Sequence, residues 1–332
     1  MKRRRIWSEL LPLEEVRSPA VLGLLARYGL ELSIAVRPGT AAGLPELMRA
    51  CEGAGVPVAV WPMIADDEGR WASTGNADLF GAFVEEVIGG LGASGITPRE
   101  VVFDLEPPMP LVQIALDGLP GFIRLLQRAS GGDAGEGVAA YRKLAADLAA
   151  RGVEPSAAIM PLLLLDGPER GWERVLGTPV TGVGFGRVNA MLYTSLFEGW
   201  SRGLLRRADA LSLLAWGSRA AARRFGEAAG VSLGVVGVGA LGGEPMYRSV
   251  RELREDVAVA RAAGVEDLAL FDLGGVLARP PAEAWLEAFV DTPHTPPGSP
   301  ALTFGSALTL RARVALGAAR LAQIARRAAR PW

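Results

Sequence analysis

Short apolar runs alternate along this chain with longer stretches in which apolar residues recur at helical spacing, and Gly or Pro marks most of the joins. Eight runs predict strands: Arg5–Leu10, Leu32–Val36, Val56–Trp61, Val101–Glu106, Ser156–Pro161, Val188–Tyr193, Ser232–Val238 and Asp267–Leu273. The intervening periodicity predicts helices over Pro19–Tyr28, Leu44–Ala54, Ala77–Leu91, Gly137–Arg151, Ala208–Ala229, Arg248–Ala263 and Ala282–Val290. Four of them finish in a small-residue signature: Gly53-Ala54-Gly55, Arg151-Gly152-Val153, Ala229-Gly230-Val231 and Ala263-Gly264-Val265. Glycine there supplies the left-handed C-cap that turns the chain back toward a sheet.

Strands that are apolar nearly throughout, each followed by a helix, imply a parallel sheet covered on its outer face. Eight such units predict a (β/α)8 TIM barrel over residues 1–291. A doubly wound sheet is the rival, but no G-x-G-x-x-G follows the first run to favour it. Residues 292–300 read as a proline-rich linker, and 301–332 as a basic amphipathic C-terminal helix. Beyond Asp291 there is no acidic residue, but there are six arginines: Arg311, Arg313, Arg320, Arg326, Arg327 and Arg330. Leu310, Val314, Gly317, Leu321 and Ile324 follow helical spacing as an apolar stripe with most arginines off it. The favoured reading packs this stripe on the barrel and leaves the arginines solvated. The other lays the helix on an anionic membrane or an acidic partner.

Composition narrows the chemistry. The 332 residues are 50% hydrophobic and 21% charged with a net charge of −1, enough to bury a large core. A charge so close to zero argues against a whole-protein nucleic-acid binder, which needs a basic face to replace phosphate counterions. The lone cysteine, Cys51, allows neither an internal disulfide nor a cysteine metal cluster. The lone histidine, His294, sits in the linker, so histidine triads and histidine metal sites are excluded, and no metal or cofactor is expected. Of the 35 basic residues only Lys2 and Lys143 are lysines, and neither falls at a predicted strand end, which argues against Schiff-base chemistry. The apolar stretch in Met1–Leu11 is broken by Glu9, and Glu14–Glu15 follow, so no signal peptide is expected. The expected location is cytoplasmic, peripheral to a membrane if the helix binds lipid. Carboxylates, tyrosine, arginine or backbone groups are left to do any catalysis.

In a barrel the reactive groups sit where strands end and loops begin. The fourth run reads Val101-Val102-Phe103-Asp104-Leu105-Glu106. Residues at i and i+2 of a strand share a face roughly 6.5–7 Å apart. With Phe103 and Leu105 turned toward the helices, Asp104 and Glu106 face the barrel mouth. Their repulsion raises at least one pKa, which suits a general acid beside a partner that stays ionised. A purely structural reading pairs one carboxylate with an arginine and solvates the other. Tyr193 ends the sixth run, Asp272 closes the eighth, and Glu9 is a candidate at the end of the first. Trp61 ends the third run and Trp71 follows in its loop. Each is a candidate platform for a sugar ring, and Trp61 is equally a packing residue.

A strand-four D-x-E with a strand-six M-x-Y resembles the chitinase-like glycoside hydrolases of family 18, which are (β/α)8 barrels. The family pattern is D-x-x-D-x-D-x-E on strand four and M-x-Y-D on strand six. The resemblance implies that Glu106 is the general acid/base, that Asp104 orients the substrate acetamido group, and that Tyr193 hydrogen-bonds its carbonyl. That carbonyl is the internal nucleophile in the family, so no enzyme nucleophile is implied. Two earlier Asp positions are here Arg99 and Val102, the Asp after the tyrosine is Thr194, and the family's strand-eight tryptophan is not evident. The implied activity is glycoside hydrolysis on a carbohydrate substrate, with or without acetamido assistance.

Two other readings stay open. Gly242 and Gly243 follow the seventh run and Gly274 and Gly275 the eighth, where many barrels bind phosphate through backbone amides. The substrate would then be a phosphorylated small molecule. A non-catalytic barrel that binds a glycan or a protein partner is the third.

Overall fold

The computed structural model describes residues 3–115, 124, 134–237, 239, 241–292 and 308–328. Eight strands pair in chain order into a closed barrel: β1 (Arg4–Ser8), β2 (Glu31–Val36), β3 (Val58–Pro62), β4 (Glu100–Leu105), β5 (Glu154–Ile159), β6 (Arg187–Met191), β7 (Ala229–Gly234) and β8 (Asp267–Phe271). Among the described residues the α-helices are α1 (Leu13–Val16), α2 (Pro19–Arg27), α3 (Leu44–Gly53), α4 (Ala77–Ala93), α5 (Met109–Ala115), α6 (Ala134–Ala150), α7 (Gly171–Leu176), α8 (Thr194–Trp200), α9 (Arg207–Phe225), α10 (Val250–Ala262), α11 (Leu273–Ala278), α12 (Ala282–Val290) and α13 (Leu310–Ala328). The chain is a (β/α)8 TIM barrel, as the alternation predicts. The 292–300 linker reading, beyond Thr292, and residues 301–307 lie outside the described residues, as do His294 and Arg330.

The chain divides into two compact units. In the first, Leu11–Val188, β2 to β5 pair in parallel, with Leu32 opposite Val58 and Phe103 opposite Ala157. The outer face of β4 is closed by rings: Phe103 lies 5.7 Å from Phe80 of α4, 6.0 Å from Tyr141 of α6 and 5.2 Å from Phe185. Gly55 and Gly152 take positive φ just past α3 and α6, the left-handed turn expected of them.

The second unit comprises Met1–Leu10 and Asn189–Trp332. Here β8 pairs with both β7 and β1. A buried Arg5 guanidinium reaches both oxygens of Asp267 at 2.9 Å, and the Trp7 indole N–H donates to Ser232 Oγ at 3.2 Å. One boundary differs from expectation. Helix α9 stops at Phe225, where Gly226 turns with φ +57, and not at Gly230. Gly230 lies inside β7, where a Cβ would come within 2.8 Å of Asn189 Oδ1. It is a close-approach glycine and not a cap.

The last helix also differs from the favoured reading. It packs on α9 mainly through small residues: Ala312 is fully buried, and Ala315, Gly317 and Ala319 are half-buried, with Leu316 beside them. Leu310, Val314 and Leu321 of the expected packing stripe are instead exposed. Alanine allows the helix axis to approach α9 closely, so the larger side chains are left on the opposite face. The side chain of Ile324 lies outside the described residues.

Candidate active site

Phe103 and its ring contacts fix the outward face of β4, so strand alternation turns Asp104 inward. Asp104 is 2% exposed, whereas Glu106, the first residue past the strand, is half-buried. Pro107 and Pro108 then stop the ladder. The end of β4 is extended by a bridge from the preceding loop: the Ala72 N–H donates to the Asp104 carbonyl at 2.8 Å, opposite Leu105.

That loop is held by residues the motif reading missed. Asn76 Nδ2 donates to the carbonyls of Trp71 at 2.8 Å and Glu68 at 3.2 Å, and its Oδ1 accepts the Ser73 N–H at 2.9 Å. The Tyr141 hydroxyl donates to the Ser73 carbonyl at 2.9 Å, and burial pushes its pKa above the ordinary tyrosine value. Arg70, with φ +62, forks onto both carboxylate oxygens of Asp66 at 2.8 Å. Trp61 and Trp71 are 3% and 4% exposed. Neither indole leaves much ring face open to solvent.

The other unit carries its own cluster at strand ends. Tyr193 follows β6 and starts α8, with its ring 5.7 Å from that of Phe271, the last residue of β8. Gly234 makes room for this, since a Cβ there would lie 3.0 Å from Tyr193 Cδ1. Glu9 is near the same ring: a Cβ on Gly239 would meet Phe271 at 2.9 Å and Glu9 Oε2 at 3.1 Å. Glu9, Tyr193 and Phe271 are thus gathered around two glycines.

Beside Tyr193, the Thr194 hydroxyl donates to Asp256 of α10, a fully buried carboxylate that also accepts from the Tyr247 hydroxyl and Arg207 Nη2 at 2.6 Å each. Burial pushes Asp256 up to about 6 against the opposing pull of Arg207, Thr194 and Tyr247. The Ser195 hydroxyl accepts the Val235 N–H at 2.8 Å. These bonds fix the segment that carries Tyr193. A cavity of about 540 Å³ next to it is lined by Ser195, Glu198, Arg207, Arg248 and Glu252. Its charges are largely paired with one another, Arg248 with Glu252 at 2.6 Å and with Glu198 at 3.0 Å.

Asp272, 2% exposed, follows β8 and caps α11 by accepting the Gly275 N–H at 3.0 Å. Burial pushes its carboxyl up to about 6. The N–H groups of Gly275 and Gly274 oppose the shift, and the charge of Glu244 adds to it. Gly237 and Gly275 meet backbone to backbone, for a Cβ on Gly275 would fall 2.1 Å from Gly237 N. The Gly243 N–H donates to Glu244 Oε2 at 3.1 Å and that of Leu241 to Oε1 at 2.8 Å, while the Gly242 N–H donates to the Gly239 carbonyl. The amides that a phosphate would use therefore already hold carboxylates or carbonyls of this chain.

No protein-family model and no curated protein matches this chain. Solved structures do. The glycoside hydrolase domain of PgaB (BpsB) from Bordetella bronchiseptica is 14% identical with a TM-score of 0.55, over 87% of this chain and 99% of that one. A family 18 chitinase from Cycas revoluta with (GlcNAc)3 is 15% identical with a TM-score of 0.46, over 87% and 99%. A D-psicose 3-epimerase with D-tagatose from Clostridium cellulolyticum H10 is 14% identical with a TM-score of 0.41, over 97% and 99%. At such identities the likeness is one of fold, and it is carried by the PgaB domain. The distant resemblance to glycoside hydrolase barrels suggested by the strand-four and strand-six motifs is matched at that level.

Proposed function

We propose that this barrel is a glycoside hydrolase-like enzyme that cleaves a glycan by carboxylate acid/base chemistry. The observation that carries the reading is the pair at the end of β4: Asp104 turned inward and nearly sealed from water, with Glu106 two residues on and still half-open. A buried carboxylate is costly, and one at the end of a barrel strand stands where barrels place their reactive groups, which supports a catalytic reading. Glu106 has the access a general acid needs, and Asp104 has the fixed position a charge-stabilising or orienting group needs.

In the acetamido-assisted form, protonated Glu106 gives its proton to the glycosidic oxygen as the bond from C1 to that oxygen breaks. The substrate's acetamido carbonyl oxygen bonds to C1, and Asp104 holds the nitrogen side of the resulting oxazolinium ion. Water then attacks C1 as the bond from C1 to the acetamido oxygen breaks and restores the acetamide, while Glu106, now a carboxylate, takes the water's proton and returns to the starting state. Tyr193 is the proposed partner of the acetamido carbonyl, and Glu9 is a proposed substrate-binding residue beside it. The phosphate reading draws less support, because the amides of Gly243 and Gly275 donate to Glu244 and Asp272.

Glu106→Gln keeps the shape of the side chain and removes only its titrating proton. Its expected effect on hydrolysis of an N-acetylated chito-oligosaccharide is a loss of about a thousandfold in kcat, with ligand-observed NMR binding and the melting temperature unchanged. Full turnover by this variant on a substrate that the wild type cleaves would refute the assignment.

A further inference from the structure

Helix α13 turns its faces the opposite way from an ordinary terminal helix. Its start is pinned to the barrel: the Thr309 hydroxyl donates to Asp209 Oδ1 at 2.6 Å, the Thr309 N–H to Ser212 Oγ at 3.1 Å, and Arg311 Nη1 to the Leu204 carbonyl at 3.2 Å. Alanines face α9, while Leu310, Val314 and Leu321 are 77%, 62% and 67% exposed. At 3.6 residues per turn these three fall within an arc of about 40°, nearly opposite Ala312 and Ala319. Arg311, Arg313 and Arg320, all exposed, flank that stripe on its two sides. Leu204, 76% exposed, and Trp200, 43% exposed, lie in the segment that Arg311 contacts, together with exposed Arg202 and Arg206.

We propose that this stripe is a docking surface for an anionic lipid membrane, with α13 lying in the plane of the headgroups. A narrow line of large apolar side chains edged by arginines is the arrangement by which a helix buries one face at the acyl boundary and sets its cations at the phosphate level. Charge complementarity selects the occupant. With no acidic residue anywhere from 292 to 332, a second copy docked on the same face would bring arginine rows together without a counter-charge. An anionic lipid surface supplies that counter-charge along the whole stripe. Among the described residues no helix is long and apolar enough to cross a membrane, and the proposal needs none.

The test is co-sedimentation of the full chain with vesicles of phosphatidylcholine alone and of phosphatidylcholine mixed with phosphatidylglycerol. Two variants run beside the wild type: one replaces Leu310, Val314 and Leu321 by Ser, the other replaces Arg313 and Arg320 by Gln. All five positions are exposed and none bonds to the rest of the barrel, so circular-dichroism melts should match the wild type. The wild type is expected to sediment with the mixed vesicles, more weakly as salt rises, and not with phosphatidylcholine alone. Each variant is expected to bind roughly tenfold more weakly or worse. Two results would overturn the proposal: no binding of the wild type to anionic vesicles, or equal binding by the Ser variant. A wild-type dimer in light scattering that the Ser variant abolishes, with no vesicle binding, would overturn it in favour of a second copy.

Discussion

Asp272 answers two demands at once, capping α11 while sitting almost sealed from water. Its carboxyl is held at about 6, against about 3.9 in an unfolded chain, so the native state binds the proton more tightly. The stability tied to that proton is fully present below about pH 4 and is lost as pH rises through about 6. Asp272→Asn keeps an acceptor for the Gly275 N–H and carries no charge. Relative to wild type it should gain up to about 3 kcal/mol between pH 4 and pH 7 in urea melts, and a pH-independent difference would contradict the assignment. Asn76 makes the other residue-scale prediction. Asn76→Ala strands the carbonyls of Trp71 and Glu68 and the Ser73 N–H, and should cost about 3 kcal/mol with a changed Trp71 environment in near-ultraviolet circular dichroism. The burial of Asp104 was legible in the sequence because strand alternation predicts an inward facing opposite Phe103. Asn76 was not, since most of its partners are backbone groups that no side-chain pattern encodes. Asp256 left a trace, a carboxylate among Leu253, Val257 and Ala260 on the buried face of α10.

Elements were legible where a period and a stop signal agreed. The glycines after α3, α6 and α10 take positive φ, and the three helices end within two residues of the expected boundary. The α9–β7 join was misplaced because two glycines, Gly226 and Gly230, competed for the cap, and only the approach of Asn189 decides between them. The docked face of α13 was hidden for a related reason: periodicity ranks Leu above Ala, whereas close packing on α9 selects Ala. At this scale the contact of the β7 loop with α11 can be tested directly. Gly275→Ala would push a methyl group into the Gly237 backbone and should cost roughly 3 kcal/mol. Gly243→Ala meets nothing within 4 Å and should stay within about 0.5 kcal/mol of wild type. Equal melts for the two variants would remove the close-approach account.

For the whole molecule, the fold is a closed barrel, and the carboxylates proposed to act stand at the end of one of its strands. The fold is shared with a glycoside hydrolase domain at 14% identity, so fold is what such a comparison transfers, and function has to be argued from the site. The proposed reaction centre lies at Glu106. The most direct measurement is a crystal structure of the Glu106→Gln variant soaked with an N-acetylated chito-oligosaccharide. The account predicts a glycosidic oxygen within about 3 Å of the side chain at position 106, with the acetamido group of the adjoining sugar turned toward Asp104. A sugar bound away from the end of β4, or a site that takes up only phosphate, at Gly242–Gly243 or Gly274–Gly275, would contradict it.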